Sequence, residues 1–378
     1  MPTSDVTPAR SWLAGVLSGR QPVPFSESAP PITELIAGAR HQGVVGLVGW
    51  HLQQAQQSSV AKPADPSHSV IAHGFAAAAR DDALTSMLLE AEARRVLGLM
   101  RDANTPGLLL KGSALAHWAY SLPHLRACGD LDLLLASREA AEQLSARMTA
   151  AGYERAETSG ELVSYELLCT RAVTKDWRVE VDIHWRLTNS PLFSDAFTFD
   201  ELMADATPLP RLAPNSRGLG PVHALLHACM HRALNLSIGV DDKLKWLYDL
   251  IVLTDIFTPA DWQKMVRISI DKRLAGVVLS GLGMAATTFQ RELPSDILAT
   301  LRLAAASEPL DPRRLSDWHY MQRKTFEALP TMSLRLRWFW QRVFPSRDYL
   351  TYLYGNDHQS YAVLMFERFR RALRRTGL

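Results

Sequence analysis

Three short stretches hold residues whose types and spacing can do chemistry. The first is Asp130-Leu131-Asp132, directly before the apolar run Leu133-Leu134-Leu135. A strand has a side-chain period of two, so Asp130 and Asp132 project from one face. Neighbouring carboxylates repel and raise each other's pKa, a cost that a hard divalent cation with oxygen ligands removes. The second stretch, Trp177 to Trp185, alternates apolar and polar residues and puts Glu180, Asp182 and His184 on one face. If this strand lies beside the first, Asp182 completes a three-carboxylate cluster. Such a cluster can hold two metal ions, which stabilise the attacking and leaving oxygens of phosphoryl or nucleotidyl transfer. The third stretch is Leu110-Lys111-Gly112-Ser113. Gly112 permits close backbone approach to a ligand, and Ser113 at a helix start offers a hydroxyl and free N–H groups to a phosphate. Lys111 or Arg126 adds positive charge, and His184 can support the metal site as a hydrogen-bonding neighbour.

These residues need particular elements to position them. Thr105-Pro106-Gly107 is a turn signal, and Leu108-Leu109-Leu110 after it suits a buried strand. Ala114 to Tyr120 then reads as a helix, Asp130 to Leu135 as a second strand and Arg138 to Ala151 as a helix. Residues 162–172 and 177–185 read as further strands. Residues 1–100 look helical, with Gln53 to Ser69 as an exposed loop and His73 to Met100 as a long helix. Pro208 to Pro221, rich in Pro and Gly, reads as a linker, and the chain beyond it is mostly helical. The expected class is therefore α+β: a small mixed sheet, residues 101–207, between helical regions at 1–100 and 222–378.

Composition bounds the partners. The 378 residues carry a formal net charge of only +2, so the chain as a whole is not a basic nucleic-acid binder. Nine arginines against three acids make the tail from Thr331 to Leu378 +6 and leave −4 for the rest. Cys128, Cys169 and Cys229 form no CxxC pair, which argues against a disulfide framework and a cysteine zinc site. No signal-peptide pattern opens the chain and no run approaches ~18 apolar residues, so a cytoplasmic protein without a transmembrane segment is expected.

Gly112-Ser113, then Asp130-Leu131-Asp132-Leu133, then Asp182 on a later strand resembles the signature of the DNA polymerase β-like nucleotidyltransferase superfamily. The fuller text resembles one bacterial branch, the "uncharacterised nucleotidyltransferase" family. This text is Leu110 to Leu115, Arg126 before Gly129 to Leu134, Val181 to Trp185, and the segment with His227, His231 and Lys245 to Leu250. The resemblance covers roughly residues 95–260. It implies that Gly112 and Ser113 hold the phosphates of the nucleotide; Lys111, Arg126 and His184 are expected beside them from the residue types. It also implies that Asp130 and Asp132 bind both metals and that Asp182 holds the catalytic one. The implied ion is Mg²⁺, with Mn²⁺ possible, and the implied donor is an NTP such as ATP. Sixteen residues separate Ser113 from Asp130, longer than the commonest superfamily spacing.

The resulting expectation is a Mg²⁺-dependent transfer of an NMP to a hydroxyl-bearing small molecule, glycan precursor or peptide, with pyrophosphate released. An RNA- or protein-modifying enzyme, a phosphotransferase on the same fold and a catalytically silent binding module remain alternatives. His227 and His231, spaced i, i+4, lack the Glu of a zinc-protease motif and read as structural or substrate-facing. Asp242, Lys245, Trp246 and Asp249 read as one helix face, for packing with solvated charges or, alternatively, for closing over the sheet to help position nucleotide or acceptor. The Arg- and aromatic-rich tail reads as a helical cap, with RNA, anionic glycan carriers or a membrane surface as other partners.

Overall fold

The apolar run after Asp130 becomes the buried centre of a sheet. The computed structural model describes residues 7–19, 30–58, 66–156, 160, 162–175, 177–354 and 359–376. Its strands are β1 (Gly107–Leu109), β2 (Leu131–Leu135), β3 (Glu154–Ala156), β4 (Glu166–Ala172), β5 (Arg178–His184), β6 (Thr207–Pro208) and β7 (Arg217–Gly218). They form one mixed sheet in the order β3-β4-β5-β2-β1-β7-β6. β2 lies parallel to β5 and antiparallel to β1. Sixteen α-helices surround the sheet among the described residues, and the class is α+β as expected.

The sheet has two differently covered faces. Leu131, Leu133 and Leu135 of β2, with Val179, Val181 and Ile183 of β5, pack on the Arg138–Ala150 helix and the second half of the Pro66–Asp102 helix. Ser137 caps the first of these by accepting from the Ala140 N–H. Leu108, Leu110 and Leu134 join a larger core that runs from Ala9 to Met321. The N-terminal helices thus share one core with the helices that follow the sheet. Side chains alternate along strands, so Asp132, Asp182 and His184 project away from the first core and toward this helical body.

Three local expectations change. The stretch 208–221, a linker by composition, instead carries β7 and part of β6: Gly218 pairs with Leu109 of β1, and β6 pairs with β7. Pro208 is tolerated because it stands on the outermost strand, where no neighbour needs its missing N–H. The expected loop 53–69 is helical through Ser58 and again from Pro66, because glutamine is a good helix former; residues 59–65 lie outside the described ones. Asp242 stands before the Leu244–Asp255 helix rather than on its face, and pairs with Arg232 at 2.5 Å.

Candidate active site

Register decides which acids meet. In the parallel pairing of β2 with β5, Asp132 stands directly opposite Asp182, and in the antiparallel pairing of β5 with β4, His184 stands opposite Glu166. Ligand atoms of Asp132, Asp182 and His184 lie within 4.8 Å of one another, the only such group of three or more among the described residues. Asp130 is not in it. β2 begins at Leu131, so Asp130 sits before the ladder and lines a neighbouring cavity with Lys111 and Gly112. The expected triad of aspartates is therefore a pair plus a histidine, with Asp130 beside it.

Asp132 is almost fully buried, at 1% exposure. The Lys111 ammonium donates to its Oδ1 at 2.5 Å, and His184 Nε2 lies 3.1 Å from the same oxygen. Both contacts fall on Oδ1, and no donor among the described residues reaches Oδ2. Burial alone would raise the Asp132 pKa, but Lys111 and His184 outweigh it and hold the carboxyl well below its usual range. His184 is raised: burial would lower it, but the Glu166 carboxylate, with Oε2 3.2 Å from Nδ1, and Asp132 prevail. Asp182 receives no hydrogen bond or ion pair from the described residues. Burial first, then the Glu166 and Asp132 charges, push its pKa up to about 8.

This chemistry fits a hard cation. Two carboxylates face each other, one has an oxygen without a donor, and the other is so short of positive charge that it holds a proton near neutrality. A divalent ion would be held by Asp132 and Asp182, with Glu166 behind His184.

Lys111 bridges the two halves of the site. Its backbone lies in the left-handed region at φ 52°, a conformation that costs roughly 1–3 kcal/mol for such a residue and collects at functional sites. Its bond to Asp132 holds it there. The Lys111 pKa rises because Asp132 and Asp130 outweigh its burial. Its side chain lines both of two cavities. One, of about 230 Å³, holds Gly112, Asp130 and Lys245. The other, of about 340 Å³, holds Asp182, Glu166 and His184. His227 and His231, on the Pro221–Ser237 helix, line both. Burial, then the Lys111 charge, lowers His227 to about 3 and His231 well below its ordinary value, so both face the cavities as neutral rings.

Two expected phosphate groups already have partners within the fold, although Arg126 also lines the smaller cavity. The Ser113 hydroxyl donates to Leu110 O at 2.8 Å, and the buried residue lines neither cavity. Arg126 forks onto Asp249, Nε to Oδ1 at 2.7 Å and Nη2 to Oδ2 at 2.6 Å, and Tyr120 donates to Oδ1 at 2.7 Å. This buried pair ties the turn before β2 to the Leu244–Asp255 helix. It also explains Gly112. A Cβ there would stand 2.6 Å from Arg126 Nη1 and 2.7 Å from Cys128 Sγ, so the glycine makes room for the guanidinium.

Sequence reasoning missed one member and left a second between two roles. Glu166 lies in a segment read as a strand, where it alternates with the buried Leu167, but only the register with β5 shows its neighbour. Lys245 was read on a face for packing or for positioning the nucleotide; it lines the smaller cavity, has no hydrogen-bonding or ionic partner among the described residues, and is lowered by burial and by Arg126.

A mixed sheet sets paired acids under a helical cover, beside a strained lysine, and offers a possible metal site. The chain belongs to the family of uncharacterised nucleotidyltransferases, whose model matches residues 28–290, and it is accordingly a transferase. No curated protein matches it. No helix among the described residues is long and apolar enough to cross a membrane.

Proposed function

We propose that the chain moves a nucleoside monophosphate from a Mg²⁺-bound nucleoside triphosphate, such as ATP, to a hydroxyl of a small acceptor and releases pyrophosphate. Mn²⁺ would serve in place of Mg²⁺, and the cytoplasm supplies both ion and donor. The observation that carries this reading is the Asp132–Asp182 pair, in register on adjacent strands, with Asp182 lining the larger cavity and Asp132 bonded to Lys111, which lines both.

The smaller cavity suits the donor. Lys111, Lys245 and the N–H groups at the start of the Lys111–Trp118 helix offer positive charge to a polyphosphate. Asp130 faces the same space, where burial, then the charge of Asp132, raises its pKa, so a cation arriving with the triphosphate relieves it. A bound divalent ion would polarise the α-phosphate and neutralise charge on the leaving group. Lys111, on leaving Asp132, neutralises a phosphate oxygen. His184 keeps Asp132 oriented through Nε2. The Asp182 carboxylate takes the proton of the attacking hydroxyl.

Product analysis tests this. Incubation with α-labelled and γ-labelled triphosphates and Mg²⁺ should give labelled pyrophosphate from the γ-label and an NMP-linked product from the α-label. Release of NDP would instead assign phosphoryl transfer.

A further inference from the structure

The larger cavity has an end that the metal-site residues do not explain. It begins at Asp182 and runs to Gln322 and Arg342, on the Trp318–Ala328 and Met332–Val343 helices. Both helices lie beyond residue 290, where the family match stops. Gln322 Oε1 is buried and accepts no hydrogen bond among the described residues. A buried carbonyl oxygen without a donor is costly, and the donor it lacks is the kind a ligand hydroxyl provides.

Arg342 is unsatisfied in the complementary sense. Its guanidinium lies over the Trp338 ring, 5.3 Å from the centroid, and no carboxylate among the described residues pairs with it. Burial and the neighbouring cation Arg368 both disfavour its charge. The wall is nevertheless fixed. Gln341 Oε1 accepts from the Leu162 N–H at 3.0 Å, and Arg368 donates to the Arg342 carbonyl at 2.7 Å. Between the two ends lie Thr188, Asn189 and Ser190; Thr188 Oγ1 donates to Ser190 O, Asn189 Oδ1 accepts from the Tyr165 N–H and Ser190 Oγ from the Leu192 N–H, so the Asn189 amide N–H groups and the Ser190 hydroxyl proton are what this stretch offers a ligand. A volume of about 340 Å³ suits a molecule of small-ligand size.

We propose that this cavity is the acceptor pocket and that it takes a small hydroxyl-rich molecule bearing an anionic group, which Arg342 binds while Gln322 accepts a hydroxyl. The assignment rests on the nucleotidyl-transfer reading above. An acceptor hydroxyl at the Asp182 end forms the new bond to the α-phosphorus. The bond from that phosphorus to the α,β-bridging oxygen breaks, its electron pair leaves with pyrophosphate, and the hydroxyl proton passes to Asp182.

The test is titration of the full chain with glucose, glucuronate and glucose 6-phosphate by ligand-observed NMR, beside calorimetry of Mg²⁺–NTP binding. Wild type, Arg342→Met and Gln322→Glu are compared, with thermal melts to verify folding. At least one anion should bind about tenfold more tightly than glucose; Arg342→Met should remove that preference, and Gln322→Glu, which keeps the hydroxyl acceptor but adds negative charge to the pocket, should keep glucose binding while weakening both anions, with NTP binding unchanged in both variants. Glucuronate against glucose 6-phosphate tells a carboxylate pocket from a phosphate pocket. The assignment is overturned if glucose binds as well as both anions, if none of the three binds, or if Arg342→Met keeps the preference. It is also overturned if a short RNA takes their place in an Arg342-dependent way. Absence of NTP binding by the wild type would sink the transfer reading itself, whereas normal NTP binding without sugar discrimination sinks only the acceptor assignment.

Discussion

Gly112→Ala is the substitution whose effect the geometry fixes most closely. The added Cβ would meet Arg126 Nη1 at 2.6 Å and Cys128 Sγ at 2.7 Å. An arginine tip usually swings away, but this one is held by both oxygens of Asp249. Overpacking of this kind costs roughly 1–3 kcal/mol, and two pinned neighbours put it near the upper end. Alanine recovers at most about 1 kcal/mol in helix propensity, which leaves a net loss of about 2 kcal/mol. Asp249→Ala alone should cost more, roughly 3–5 kcal/mol, because it strands a buried guanidinium. In the double variant Arg126 is free to move, so the two losses should fall short of their sum by at least about 1 kcal/mol. Urea unfolding of the four proteins, followed by tryptophan fluorescence, measures this cycle. Gly112→Ala as stable as wild type, or losses that simply add, would refute the idea that Gly112 serves the Arg126–Asp249 pair.

Other outcomes follow from the same site. The Asp182 pKa is raised to about 8 from 3.8, so the metal-free chain should lose stability as pH rises between those values; Asp182→Asn should flatten this decline in urea midpoints at pH 5 and pH 8. His227 is lowered to about 3 from 6.5, so its contribution is present above pH 6.5 and lost as pH falls toward 3; His227→Gln should shift the acid-unfolding midpoint downward. Tyr120→Phe removes one of the donors to the buried Asp249 and should cost about 1–2 kcal/mol in the same urea assay, with Mg²⁺–NTP affinity retained.

The sequence carried the local half of the site. Alternation in 177–185 put Asp182 and His184 on one face, and the apolar run after Asp132 marked a buried strand. Both depend only on the period of a strand. Pairing is not local. That Asp132 rather than Asp130 meets Asp182 depends on β2 starting at Leu131 and on its register with β5. The Arg126–Asp249 fork joins residues 123 positions apart, so the sequence could not show that Arg126 reaches the smaller cavity already paired. Ser113 looked exposed at a helix start, but its hydroxyl closes onto Leu110 O. The 208–221 stretch misled through its prolines and glycines, which serve two short strands at the edge of the sheet.

The central claim is that Asp132 and Asp182 form a metal site serving a triphosphate. Isothermal calorimetry of wild type and of Asp132→Asn/Asp182→Asn with ATP, GTP, CTP and UTP, each with and without Mg²⁺, tests it most directly. At least one triphosphate should bind the wild type only with Mg²⁺, and the double variant, still folded, should lose that binding. Triphosphate binding that ignores Mg²⁺ or survives the double substitution would contradict the account.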